Sequence, residues 1–158
     1  MPLTFPYTAR TIKRVMKKEV SIAMEKLKEF FKNDQFARHA GIELVSVSPG
    51  HALARMPIQP YHLNAIGIVQ GGAIFTLADF AFAAASNAAG TVAVAINASI
   101  SFVNAASSGS LQAEATELSK NSKLGTYTIN VIDADKNLIA VFQGLVYRKK
   151  QPLPTKGA

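Results

Sequence analysis

The stretch "NAIGIVQGGAIFTLAD", residues 64–79, gathers most of the side chains in this sequence that could do chemistry. Asn64 and Gln70 precede the pair Gly71 and Gly72, and Asp79 follows within "FTLADFAFAAAS", residues 75–86, as one charge among twelve residues. An ionised carboxylate in an apolar setting is costly unless it is paired, hydrated or used. Other chemistries are missing from the sequence. It has no cysteine, which excludes disulfides, thiolate metal sites and cysteine nucleophiles. It has no GxSxG elbow and no G-x-x-x-x-G-K phosphate loop, and His39, His51 and His62 do not fall into HExxH or another metal-ligand spacing. Neither a metal nor a cofactor is expected.

The elements that must position this stretch can be read from periodicity. Apolar residues recur at three- and four-residue spacing over 8–32, from Ile12 and Val15 to Phe30 and Phe31, which predicts an amphipathic helix. It would pack on the body or on a partner subunit, and the alternative is a membrane-surface helix. "KNDQ" breaks the pattern, and "FARHAG" reads as a short helical turn ending at Gly41. From residue 42 the period becomes two. "IELVSVS" and "HALARMP", split by "PG", read as a hairpin. The central helix is expected over about 72–89, ending on Gly90. "VAVAINASISFV" reads as a long strand with Val92, Val94, Ile96, Ala98, Ile100 and Phe102 on one face. "SLQAEATELS", "LGTYTINVID" and "LIAVFQGLVYR" follow as three more strands with no helix between them, so the sheet is antiparallel and its apolar face wraps the central helix. The fold class is α+β. The expected organisation is an N-terminal helical extension over 1–38, one domain over 39–150 and a tail over 151–158.

The totals narrow the class of function. A chain of 158 residues, 49% hydrophobic, suits one domain with its own core. The longest apolar stretch, 73–85, is shorter than the ~20 residues of a membrane span. No apolar signal core opens the sequence, which together with the missing cysteines points to the reducing cytoplasm. The net charge of +7 invites a nucleic-acid reading, but the basic residues sit at the ends. Residues 1–38 carry nine Lys or Arg against four acids, 148–158 carry four Lys or Arg, and the body between carries four bases against six acids. One helix and a turn are too little for a helix-turn-helix, so no nucleic-acid partner is expected.

The residue pattern Asn64, Gly67, Gly71, Gly72 and Asp79 resembles that of hotdog-fold acyl-CoA thioesterases of the phenylacetate-degradation (PaaI-like) type. Those proteins carry an asparagine or glutamine, a glycine, then His-Gly-Gly, and an acid deeper in the next helix. The resemblance runs over roughly residues 34–148, through "FARHAGIELVSVSPGHALARM", "ISFVNAASSGSLQAEATEL" and "VYR". It departs at Gln70, where the family has histidine. Glutamine can donate a hydrogen bond but cannot shuttle a proton near neutral pH. A strand hydroxyl that some relatives present near the acid would fall close to Ala95, which has none.

The resemblance implies an acyl-CoA thioesterase that needs no cofactor, since coenzyme A is part of the substrate. The N–H groups that open the helix at Gly71 would hold the developing oxyanion, and Gly72 would permit close approach. Asp79 would act as general base or nucleophile. In the family two protomers share each site, so Asp79 would face the Gly71 of a partner in a homodimer or dimer of dimers. Asn64 would orient water or the thioester, Tyr61 and His62 would line the acyl pocket, and Lys120, Lys123 and Arg148 would meet the phosphates of coenzyme A. Each residue also has a plain structural reading: tight packing for the glycines, a satisfied buried carboxylate for Asp79, an Asx-turn for Asn64, core or surface packing for Tyr61 and His62, and solvated cations for the basic residues. Gln70 and Ala95 together favour a second function, a non-catalytic acyl-CoA binding or sensing module. The "GDxNPxH" signature of the hydratase members of the fold is absent.

Overall fold

A six-stranded antiparallel sheet curves around one long helix in the computed structural model, which describes residues 24–154. Residues 24–31 are helical (α1), followed by α2 (Gln35–His39), β1 (Glu43–Ser48), β2 (His51–Pro57), a single 3-10 turn (Pro60–His62), α3 (Gly71–Asn87), β3 (Thr91–Phe102), β4 (Ser110–Lys120), β5 (Leu124–Ile132) and β6 (Leu138–Pro152). The part of the expected first helix before Met24 lies outside the described residues. In its described part, Leu27 and Phe31 are buried on the body, and Phe31 meets Phe80 of α3 edge to face at 5.7 Å. The last strand runs beyond the expected domain limit at 150.

The strand order is β1-β2-β4-β5-β6-β3. β3 therefore leaves α3, skips its sequence neighbour β4 and pairs with β6 at the far edge. The core lies between α3 and the concave face of the sheet. There β2 and β4 present mainly small residues, Ala52, Ala54, Ala113 and Ala115, which let the helix backbone approach closely. β5 and β6 present Ile129, Val131 and Phe142. Gly144 of β6 makes room for the Phe82 ring, since a Cβ there would stand 2.5 Å from that ring.

The long strand departs from the alternation expected of it. Val92, Val94, Ile96, Ala98, Ile100 and Phe102 do not share a face. Ala95 pairs with Val146 but the next pair is Asn97 with Leu145, so Ile96 is an extra, bulged residue. The bulge inverts the alternation. Ala98, Ile100 and Phe102 stand opposite Gly144, Phe142 and Ala140 on the concave face, whereas Val94 stands opposite Tyr147 on the outer face.

Candidate active site

Glycine at 71 and 72 is dictated by close neighbours as well as by the helix start. A Cβ on Gly71 would lie 2.9 Å from the tip of the Phe102 ring, and one on Gly72 would lie 2.7 Å from Gln70 Oε1. Gln70 is the N-cap of α3. Its Oε1 accepts from the Gly72 N–H and, at 3.2 Å, from the Ala73 N–H. Two of the amides that open the helix are thus satisfied from within. The Gly71 N–H is left without a hydrogen-bond partner among the described residues, at the positive end of the helix dipole. Because Oε1 faces the backbone donors, the Nε2 amide group of Gln70 points away and keeps its protons available.

The loop before the helix is held from both sides. Asn64 Oδ1 accepts from the Ile66 N–H at 3.1 Å and the Ile68 N–H at 3.3 Å, an Asx-type turn. Its Nδ2 has no partner among the described residues. His62 is only 4% exposed. The Gln59 N–H donates to His62 Nδ1 and His62 Nε2–H donates to the Ala40 carbonyl, each at 3.0 Å. The His62 carbonyl accepts from the Gln70 N–H at 2.8 Å. His62 therefore has no free ring nitrogen for a ligand, and it ties the residue before the helix to the end of α2. Tyr61 is exposed and sets its ring edge-on to His62 at 4.4 Å.

Asp79 lies on the least buried stripe of α3, with Gly72, Thr76, Ala83 and Ser86, beside Phe75, whose ring packs on Phe142 of β6 at 5.2 Å. It is half-buried beside a cavity of about 340 Å³ lined by Asp34, Phe36, Phe75, Thr76, Asp79 and Phe80. Burial, and then the like charge of Asp34, raise the Asp79 carboxyl above its ordinary range. The Thr76 hydroxyl donates to the Gly72 carbonyl at 2.8 Å, which directs its proton to the helix backbone. Within one chain Asp79 and Gly71 are eight residues apart on the same helix, about 12 Å of rise, too far to act on one carbonyl.

Lys120, Lys123 and Arg148 gather at the opposite end of the molecule from Gly71, where β4 ends, β5 begins and β6 leaves the core. Lys120 Nζ pairs with Glu117 Oε1 at 2.9 Å, and the Tyr127 hydroxyl donates to Glu117 Oε2 at 2.7 Å. Burial opposes ionisation of Glu117, but the hydrogen bonds from Tyr127 and Lys120 hold its carboxyl below the usual range. Burial and the same carboxylate push the Tyr127 phenol up. Asp34, Phe36, Phe75 and Phe102 are the site neighbours that spacing did not reveal. Asp34 carried a local signal as the cap of α2, its Oδ1 accepting from the Ala37 N–H at 2.9 Å, but nothing local placed it beside Asp79.

A family model described as the thioesterase superfamily matches residues 66–140. A protein of Archaeoglobus fulgidus named "Putative esterase" is 38% identical over 133 residues, which is 83% of this chain and 86% of that protein. The acyl-coenzyme A thioesterase PaaI of Escherichia coli is 33% identical over 119 residues, 75% of this chain and 85% of that enzyme. The solved structure of the Escherichia coli PaaI protein aligns with a TM-score of 0.78 at 30% identity, covering 82% of this chain and 95% of that one.

Proposed function

The chain belongs to the thioesterase superfamily, as a PaaI-like hotdog thioester hydrolase, and from that premise we propose that it hydrolyses acyl-coenzyme A thioesters at a site shared by two copies of the chain. The observation that carries this reading is the uncommitted Gly71 N–H at the start of a helix whose lone carboxylate lies two turns away. One chain supplies the Gly71 N–H, which donates to the thioester carbonyl oxygen at the positive end of the helix dipole, with Gln70 Nε2 as a second donor. The partner supplies Asp79, whose raised carboxyl is suited to a base working toward neutral pH. Asp79 takes a proton from water as the water oxygen bonds to the carbonyl carbon. The tetrahedral oxyanion collapses, the C–S bond breaks, and the proton on Asp79 passes to the departing coenzyme A thiolate. Water is the one co-reactant and no cofactor enters the step. Asp79 attacking the carbonyl directly, through a mixed anhydride, uses the same geometry. Asn64 Nδ2 would steady the water or the thioester, and Lys120, Lys123 and Arg148 would hold phosphates.

The exposed edge strand β3 supports the pairing of two copies. Among the described residues its edge-side backbone groups are unpaired, and Val94, Ile96, Phe102 and Val103 expose apolar surface on or beside it.

Free coenzyme A release, measured across aryl, short and long acyl-CoA, tests the reaction. Gly71→Pro against Gly71→Ala tests the amide. Both add a Cβ against Phe102, but only proline, tolerated as the first residue of a helix, removes the N–H. Gly71→Pro should be at least tenfold slower than Gly71→Ala. Mixing inactive Gly71→Pro with inactive Asp79→Asn, after unfolding and refolding together, should restore roughly a quarter of wild-type turnover, because half the dimers then hold one intact site. No recovery on mixing would rule out a shared site. Binding of acyl-CoA without turnover on the whole panel would establish the binding-module alternative.

A further inference from the structure

We infer that Asp34, which lines the same cavity as Asp79, is a positioning residue that sets the pH at which the Asp79 site begins to work. This rests on the reading of Asp79 as the base or nucleophile. The cavity of about 340 Å³ holds two carboxylates and three aromatic rings, and no cation is among its lining residues. Phe36, Phe75 and Phe80 thin the water around the carboxylates, so each feels the other's charge more strongly than it would in bulk solvent.

The two carboxylates are placed differently. Asp34 is exposed, and its Oδ1 accepts the Ala37 N–H as the cap of α2. That bond fixes its rotamer. Asp79 receives no hydrogen bond from its neighbours in the cavity, because the Thr76 proton goes to the Gly72 carbonyl. Asp34 is therefore the exposed, fixed carboxylate of the pair, and Asp79 the half-buried one beside it.

Among the described residues, no charged group other than Asp34 lines the cavity beside Asp79. It is the one charged residue of α3. Glu117 and Arg148, from the sheet, stand at the far end of the helix, where Glu117 is tied to Tyr127 and Lys120. Phe80 also lines an adjoining groove, whose charges come in equal numbers: Lys28, Lys32 and Arg38 against Glu25, Glu29 and Glu43.

Asp34→Asn tests the assignment with little disturbance, since asparagine caps a helix as well as aspartate does. The readout is kcat/KM against pH. Activity rises with pH as Asp79 loses its proton, and a neighbouring negative charge delays that loss. Removing the charge should move the acid limb of the profile to lower pH. At a pH on that limb kcat/KM should exceed the wild-type value several-fold, while the plateau stays unchanged. Added salt should move the wild-type limb the same way, because Asp34 is exposed and its charge can be screened, and should move the variant's limb less. Asp34→Ser, a second capping side chain without charge, should reproduce the shift if Asn itself perturbs the loop. An unmoved limb in both folded variants would overturn the inference. Asp79→Asn keeps the two failures apart: if it retains full turnover, the catalytic reading of Asp79 fails, and if it is inactive while the Asp34 variants keep the wild-type limb, only the role of Asp34 fails.

Discussion

At the scale of single residues, Asp79 works against stability in the free chain. Its carboxyl is raised by burial and by Asp34, so the folded state binds a proton more tightly than the unfolded chain does. Stability from that proton is complete below the ordinary aspartate value and is lost as pH rises through the folded value. Asp79→Asn removes the loss. The variant should melt close to wild type in acid and above it at neutral pH, measured by calorimetry at matched salt. Its turnover should fall by roughly 10²-fold or more, the scale of a positioned acid–base group. A variant with lower melting at neutral pH and undiminished turnover in its folded fraction would make Asp79 a structural carboxylate. The same residue can carry function and cost stability because catalytic sites tolerate what cores do not.

The start of α3 is the element on which the site depends. Gln70 caps Gly72 and Ala73 through Oε1 and has no Nε2 partner among the described residues, so its cap and its proposed donor role can be tested apart. Gln70→Ala removes both, and should lower stability by about 1 kcal/mol and turnover by roughly tenfold. Gln70→Glu keeps the acceptor, so its melting should match wild type. It loses the donor and adds a charge beside the thioester oxygen, so its turnover should fall at least as far as that of Gln70→Ala. Gln70→His restores a side chain with a ring N–H donor and should keep or raise turnover. Equal rates in all these variants would show that the side chain has no part in the reaction. Gly72→Ala approaches the same cap from the other partner, since its Cβ would stand 2.7 Å from Oε1. Displacing the cap costs about what alanine gains over glycine in a helix, about 1 kcal/mol each way. Gly72→Ala should therefore melt near wild type yet slow turnover as Gln70→Ala does.

For the whole molecule the open edge of β3 is decisive. A twelve-residue edge strand with exposed apolar side chains is a pairing template unless something covers it. Ile96 is the bulged residue of that strand and is 54% exposed, so it has little role in the core of its own chain. Ile96→Lys should leave the fold intact by circular dichroism while shifting the mass by light scattering toward one chain at micromolar concentration. If each site is shared, turnover should fall with the dimer population. Wild type that runs as a clean, fully active monomer would contradict the shared site.

The local order of the polypeptide was legible in its sequence. Turn chemistry at "PG" announced the β1–β2 hairpin, and Gly50 adopts the positive φ of +78° that such a turn needs. The apolar run bounded by Gly71 and Gly90 announced α3, because helix formation and termination act over a few residues. The identity of Asp79 as an isolated charge was equally plain. What the sequence left undecided depends on distances through space. A bulge changes no residue type, so the inverted face of β3 had no sequence signal. Gln70 is not a usual N-cap, and its double hydrogen bond became visible only in the folded loop. His62 reads as a pocket residue from its place in the motif, but folding brings Gln59 and Ala40 to its two nitrogens and makes it a clamp. Asp34 and Asp79 are far apart along the chain, and only the packing of the α1–α2 connection over α3 makes them neighbours. Periodicity and turn preferences are short-range and survive in the bare sequence. Electrostatic coupling and ligand geometry depend on contacts that the chain acquires only by folding.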